Sequence, residues 1–284
     1  YVYRTKNYGK SWELIVEGIP DDFPVRVVRE DPIKEGLLYA GTEFGIYISK
    51  DAGNNWIEFQ KNLPVTPITD IKIQRDDIVL STMGRSFWIM DNIQFLRFDI
   101  ESFKPEIVKP ANAIRYRYSI PDIEINDYLK PGIFIDYYLD NSNYNNILIS
   151  FFDQNGIVVN TFSNKSDSLK PKKGYDMALN KFTSNNTAKV TIKRGYNRFR
   201  WDLIHKGIIE NEKENNILGP LVKPGKYKVQ ILLDNENKIE EEIVILKDPN
   251  SENTENDFAK TERLQLKLLN KIREANSIAN ELES

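Results

Sequence analysis

Two eight-residue segments, 5–12 (Thr-Lys-Asn-Tyr-Gly-Lys-Ser-Trp) and 49–56 (Ser-Lys-Asp-Ala-Gly-Asn-Asn-Trp), fit one template: Ser/Thr, any, Asp/Asn, any, Gly, any, small polar, Trp. They begin 44 residues apart, at positions 5 and 49. That period lies in the range of roughly 40–50 residues occupied by one four-stranded sheet of a β-propeller. Each position has a physical role. Asp51 and Asn7 can accept backbone N–H groups across a tight turn. Gly53 and Gly9 supply the positive φ that a hairpin bend demands. Trp56 and Trp12 open the next strand with a ring large enough to bury between neighbouring sheets. Thr5, Asn7, Gly9 and Trp12, and likewise Ser49, Asp51, Gly53 and Trp56, are therefore read as structural staples of a turn. Calcium is not expected at Asp51, because the segment lacks the run of oxygen ligands that this ion takes.

The rest of residues 1–100 consists of short alternating or apolar runs separated by turn residues, the pattern of meandering antiparallel sheet. The repeat sets the strand order. Residues 1–16 supply the last two strands of one sheet. Residues 24–60 supply a whole sheet, with strands near 25–30, 37–41, 45–49 and 55–59. Residues 68–98 supply another, near 69–74, 78–82, 86–91 and 95–99, whose last turn (Asp91-Asn92-Ile93) lacks the template. About two and a half blades are thus expected, where a closed ring needs at least about four. The chain also opens on Tyr1 within a strand-like run and reaches Ser284 within a helical one. Together these set the expectation of a piece of a longer protein, with the remaining blades upstream.

The rim opposite the template turns carries the loops 42–45 and 83–86 between strands, and 20–23 and 63–66 between sheets. Asp22, Glu43, Phe44 and Arg85 are its candidate ligand-binding residues. In the alternative reading Arg85 pairs with a neighbouring carboxylate and Phe44 packs into the next sheet.

Composition excludes several functions. The chain has 284 residues, about two ordinary domains, with 39 basic and 42 acidic side chains and a net charge of −3. No basic excess exists to displace phosphate counterions, so nucleic acid is not an expected partner. With no cysteine and a single histidine, His205, the chain cannot build thiolate centres, disulfides or paired-histidine metal sites, and no metal or cofactor is expected. No apolar run reaches the roughly 18 residues of a membrane span, and no signal peptide is recognisable.

Beyond residue 104 the template disappears. Pro105 and Pro110 mark a linker expected to interrupt any strand. Residues 132–139, 146–152, 157–163, 188–194, 225–230 and 238–247 read as strands. Asn155-Gly156 signals a tight hairpin, and the lysine-rich stretch 164–186 reads as a long loop. About seven short strands over 105–250 suggest an immunoglobulin-like β-sandwich with Trp201 and Tyr227 in its core. His205 reads as a surface or capping residue. From Asp257, apolar residues at steps of three and four (Leu268, Ile272, Ala275, Ile278, Ala279, Leu282) predict an amphipathic helix whose apolar face needs a partner, on the sandwich or beyond Ser284. The expected architecture is mainly β: propeller blades over 1–104, a sandwich over 105–250 and a helical tail over 251–284.

Three features together resemble a known group: the two template copies, the stretch 81–92 (Ser-Thr-Met-Gly-Arg-Ser-Phe-Trp-Ile-Met-Asp-Asn), and the pair 197–202 with 219–229. They resemble the C-terminal part of bacterial proteins labelled glycosyl hydrolases with BNR or Asp-box repeats. Those join a sortilin-like β-propeller to a β-sandwich and a helical tail. One departure is Met83, where relatives commonly place a histidine before Gly-Arg. The resemblance implies a secreted or cell-envelope protein whose propeller recognises glycans or peptides. It leaves three readings: a ligand-binding propeller protein, a glycoside hydrolase with its catalytic residues mostly on missing blades, or a surface scaffold. Hydrolysis needs two carboxyl groups about 5–9.5 Å apart. Asp22, Glu43 and Asp91 are the acids expected on this stretch of rim, and none is assigned as catalytic.

Overall fold

A computed structural model of the chain describes residues 1–99, 104–115, 132–165, 172–176, 181–185, 190–208 and 217–283. The protein is mainly β, ends in a long helix, and divides into two units, Tyr1–Asp99 and Ile100–Ser284.

The first unit holds three antiparallel sheets. β1 (Tyr3–Arg4) pairs with β2 (Glu13–Leu14). β3 (Val25–Glu30), β4 (Leu38–Thr42), β5 (Ile46–Ser49) and β6 (Ile57–Glu58) form a four-stranded meander, and β7 (Ile68–Gln74), β8 (Asp77–Thr82) and β9 (Phe87–Met90) a three-stranded one. The last two sheets repeat each other in detail. A bulge breaks the register after Val25↔Thr42 and again after Ile68↔Thr82. The Pro24 carbonyl accepts the Glu43 N–H and the Pro67 carbonyl the Met83 N–H, each at 3.0 Å. The bulge also explains why Ile68 and Ile71, three residues apart on a strand of period two, are both fully buried. One core shared by both sheets contains Leu37, Tyr39, Ile46, Ile68, Ile78 and Leu80.

Residues 95–99, expected as a strand, differ. The chain turns at Asn92 (φ 53°) and forms the short helix α1 (Gln94–Arg97). Ile93 and Leu96 are buried three residues apart, a spacing that one helical turn satisfies and a strand does not. Arg97 is drawn into a buried cluster, its Nε 2.9 and 3.0 Å from the two Asp31 carboxylate oxygens and its other nitrogens on Asp76 (2.6 Å) and the Arg75 carbonyl (3.0 Å).

The second unit contains two larger sheets. β10 (Glu106–Ile107) joins β12 (Ile133–Leu139) and β17 (Gly195–Trp201) in one. β11 (Ala113–Arg115), β13 (Ile147–Phe152), β14 (Val158–Ser163), β18 (Gly225–Leu233) and β19 (Asn237–Lys247) form the other, with β11 parallel to β19. Inward residues of both sheets share one core, including Ile135, Phe151, Phe199, Trp201, Tyr227 and Ile231.

Four expectations are corrected here. The segment between Pro105 and Pro110 contributes the two-residue strand β10, which pairs with β12 at the sheet edge, where flanking prolines cost no ladder bond. The 164–186 stretch contains the hairpin of β15 (Lys172–Asp176) with β16 (Lys181–Asn185). Its lysines obscure the alternation, but Tyr175, Phe182 and Thr183 are strand formers. Residues 190–194 are not a strand, because the Asn197 side chain takes over that backbone. It accepts the Lys193 N–H at 3.0 Å and donates to the carbonyls of Lys193 (2.7 Å) and Gly195 (3.1 Å). At 153–156 only Gly156 has positive φ, so the turn is not the two-residue form that Asn-Gly favours. Asp153 closes it instead, accepting the Asn155 and Ile157 N–H groups at 2.9 and 2.8 Å.

The helix α2 (Glu255–Glu283) begins at a capping box. The Thr254 hydroxyl accepts the Asp257 N–H at 3.2 Å while the Asp257 carboxylate accepts the Thr254 N–H at 2.9 Å. Phe258 and Leu269 are buried, with the Arg115 guanidinium 4.6 Å from the Phe258 ring. Of the stripe expected to need a partner, on the sandwich or beyond Ser284, Leu268, Ile278 and Leu282 face solvent. The polar anchors Glu262 and Arg273 select the other side. Among the described residues no helix is long and apolar enough to cross a membrane.

Candidate functional site

The two template turns have the geometry their residues dictate. The Ser49 hydroxyl donates to Asp51 (2.7 Å) and accepts the Gly53 N–H (2.8 Å), and Asp51 accepts the Asn55 N–H (2.9 Å) and side-chain amide (2.7 Å). Thr5, Asn7, Gly9 and Ser11 reproduce this, with Gly9 N–H to Thr5 at 2.8 Å and Ser11 N–H to Asn7 at 2.9 Å. In both copies the glycine is at positive φ (Gly9 85°, Gly53 89°), and so is the residue before it, Tyr8 (57°) and Ala52 (59°). Burial pushes the Asp51 carboxyl up, but the bonds from Asn55 and Ser49 outweigh it and hold it below the usual carboxylate range.

The two tryptophans diverge. Trp56 is buried and donates its indole N–H to the Ile15 carbonyl of the preceding sheet at 3.0 Å, while Trp12, expected to bury likewise, is 61% exposed. Asp51→Ala should cost the first unit about 1 kcal/mol, since it loses a part-buried bond to Ser49 and two exposed bonds to Asn55, and Asn7→Ala, whose bonds are all exposed, at most about 0.5 kcal/mol. Urea unfolding followed by tryptophan fluorescence checks the ratio.

At the opposite ends of β3 and β5, the loops 20–23 and 42–45 meet. The Phe23 and Phe44 rings lie 4.4 Å apart at 38°, and Phe23 meets Tyr47 edge-on at 6.4 Å. Arg26 donates its Nε–H to Glu43 at 2.8 Å. Thr42, fully buried, holds the turn by accepting the Phe44 N–H at 3.1 Å and donating to the Gly45 carbonyl at 3.0 Å. Asp22 is near enough, with Glu58, to add to the effect of burial in pushing the Tyr47 hydroxyl up. Asp22, Glu43 and Phe44 are thus brought together, with Phe44 41% exposed. Phe44 packs on the incoming loop of its own sheet.

Arg85 lies in the equivalent turn of the third sheet. Thr82 there accepts the Arg85 N–H at 3.1 Å, and the Arg85 carbonyl accepts the Trp88 indole N–H at 2.9 Å. Its side chain is exposed, and among the described residues no carboxylate pairs with it. Asp91 is not on this rim. The Arg85 turn precedes β9 and Asp91 follows it, so the two occupy opposite ends of that strand. Sequence reasoning missed Arg26. Its signal is an outward-facing charge between Val25 and Val27, at the bulge itself.

His205 is no surface residue: 14% exposed, it meets Glu262 of α2 at 2.9 Å, and the same carboxylate accepts the Lys223 N–H at 3.0 Å. Among the described residues no cluster of His, Asp and Glu could hold a metal ion. The acid displaced furthest upward is Asp202, half-buried at the end of β17, where burial pushes its carboxyl up to about 6 against the pull of Arg200. Between about pH 4 and 6 the folded state holds a proton that the unfolded chain releases, so stability falls as pH rises through that window and stays lower above it. Asp202→Asn should therefore stabilise the second unit by about 1–2 kcal/mol at pH 8 and leave it little changed at pH 4, by urea unfolding at both pH values.

No family model matches the chain, and no curated protein matches it. Among solved structures it is similar to the extracellular domain of a hybrid two-component system from B. thetaiotaomicron, with 12% identity over 84% of this chain and a TM-score of 0.24. The chain spans 28% of that protein's length.

Proposed function

We propose that the Tyr1–Asp99 unit is part of an Asp-box β-propeller, that the second unit is an immunoglobulin-like sandwich, and that the chain binds a glycan or peptide ligand at the rim formed by loops 20–23 and 42–45. The repeated bulge, the repeated Pro-to-turn bond and the two template turns support the propeller. A single observation carries the ligand reading: the Phe23–Phe44 pair, partly exposed and flanked by Arg26, Glu43 and Asp22. An aromatic face beside fixed hydrogen-bonding groups suits the apolar face and hydroxyl edge of a sugar, or an apolar side chain within a polar peptide. A secreted or cell-envelope location rests on the resemblance alone.

Binding is favoured over hydrolysis because Glu43, the acid brought beside Asp22 on this rim, is held by Arg26, and Asp91 stands at the far end of β9. The chain by itself should turn over no glycan. Glycan and peptide arrays probed with the wild-type chain and with Phe44→Ala test the reading. Wild type should bind, and the variant, shown folded by circular dichroism, should lose about tenfold or more in affinity, the size of one partly buried aromatic contact. No wild-type binding, or equal binding by both, overturns it.

A further inference from the structure

The helix α2 carries two apolar stripes, and among the described residues only one is packed against the chain. Phe258 and Leu269 are buried, with Glu262 bonded to His205 and Arg273 to the Lys206 carbonyl. The second stripe, through Leu264, Leu268, Ala275, Ile278 and Leu282, lies about 130° around the helix at 100° per residue. Its four large side chains are 68, 49, 59 and 84% exposed. Counting Lys271, the positions advance by alternating steps of four and three, the a/d spacing of a coiled-coil seam.

We propose that this stripe is the interface with a second copy of the chain, the two α2 helices running antiparallel with their dyad near Glu274. The stripe reads the same from both ends, which is what an isologous antiparallel contact requires. Leu264 meets Leu282 of the second copy, Leu268 meets Ile278, and Lys271 meets Ala275, whose small side chain leaves room for the lysine stem to lie across the seam with its ammonium in water. Charge agrees with this register. Lys267 on the flank falls opposite Glu281 of the second copy, twice by symmetry. Glu274, which meets its own copy at the dyad, is paired in each chain with Lys271 at 2.7 Å. In a parallel pairing Lys271 would face Lys271 within the seam, an unfavourable like-charge contact. The register thus selects both the occupant and its direction.

Sedimentation velocity on the whole chain, from micromolar to sub-millimolar concentration, should show a species of twice the monomer mass, lost in Leu268→Asp. Lys267→Glu should weaken the dimer by about tenfold, the size of two exposed ion pairs, and adding Glu281→Lys should restore it. Because the chain has no cysteine, direction is read by oxidation of single-cysteine variants. A mixture of Leu268→Cys and Ile278→Cys should cross-link, and neither should do so alone. A chain that stays monomeric throughout overturns the proposal, as does self-cross-linking of Leu268→Cys or a Lys267→Glu dimer as tight as wild type.

Discussion

Replacing Arg97 with alanine is expected to lower the stability of the Tyr1–Asp99 unit by about 3–5 kcal/mol, the cost of breaking a buried ion pair from one side. Arg97 is 6% exposed and Asp31 fully buried. Besides the guanidinium, Asp31 accepts the Tyr39 hydroxyl at 3.0 Å and the Ile33 and Lys34 N–H groups at 2.9 Å each. Without Arg97 its charge would stay buried with no counter-charge, and Asp76 and the Arg75 carbonyl would each lose a donor. Arg97→Lys retains the charge but not the fork, so it should recover only part of the loss. Arg97→Met combined with Asp31→Asn removes both charges and should be milder than Arg97→Ala alone. Trp12, Trp56 and Trp88 all lie in this unit, so urea unfolding by fluorescence reports mainly on it, and hydrogen exchange of β3 and β7 localises the change. A loss below about 1 kcal/mol would mean that water reaches Asp31.

The same cluster sets the acid limit of the unit. Burial pushes the Asp31 carboxyl up, but the bonds from Lys34, Ile33, Arg97 and Tyr39 outweigh it and hold it below its ordinary value. A depressed acid contributes stability that is complete above the unfolded carboxylate range, near pH 4, and is lost as pH falls through the folded value. Stability should therefore decline below about pH 4 in wild type, and less steeply once Arg97 is gone.

Strand direction separates this lock from the candidate ligand rim. β3 begins beside Pro24 and the Phe23–Phe44 pair and ends at Glu30, next to Asp31. β5 likewise begins at the Phe44 turn and ends at the Ser49 template turn. One end of the sheets holds satisfied polar staples, and the other leaves an aromatic pair open to solvent. This division explains which parts were legible in the sequence. The template turns were, because a tight turn with two consecutive positive-φ positions tolerates few residue types. Phe44 and Glu43 were legible as loop residues flanked by Thr42 and Gly45. Arg26 was not, since a charged residue on a strand reads as solvated until its partner is known. Nor was α1, because the Ile93–Leu96 step fits either a strand with a bulge or one helical turn, and Arg97's pull on Asp31 decides it from 66 residues away. In α2 the apolar periodicity was correct, but periodicity does not say which stripe docks. Glu262 and Arg273 determine that, through partners at 205, 206 and 223.

In the second unit the largest single loss is expected from Trp201→Ala, about 3–5 kcal/mol for emptying a fully buried indole site. Trp201 stacks on Phe151 at 4.1 Å and 18°, meets Tyr227 edge-on at 6.1 Å, and donates its N–H to the Ile204 carbonyl at 3.1 Å. Phe151 itself rests against Phe162 and Phe199, so the surrounding rings are held by one another and cannot collapse far into the space. Trp201→Phe should be much milder, about 1–2 kcal/mol. It preserves a ring against Phe151, and the Ile204 carbonyl keeps a second donor in the Asn160 amide at 3.1 Å. The two variants should also differ at a distance. Trp201 closes β17, and the next residues carry the chain through the buried, positive-φ Leu203 and the Ile204↔Leu221 bridge to His205, which anchors Glu262 of α2. A cavity at Trp201 therefore loosens the base on which that anchor stands. Hydrogen exchange around Glu262 in α2 should quicken in Trp201→Ala and remain near wild type in Trp201→Phe, each measured against global stability from urea unfolding by circular dichroism. Equal protection of α2 in both variants would show that Phe258 and Leu269 hold the helix without help from the His205 anchor.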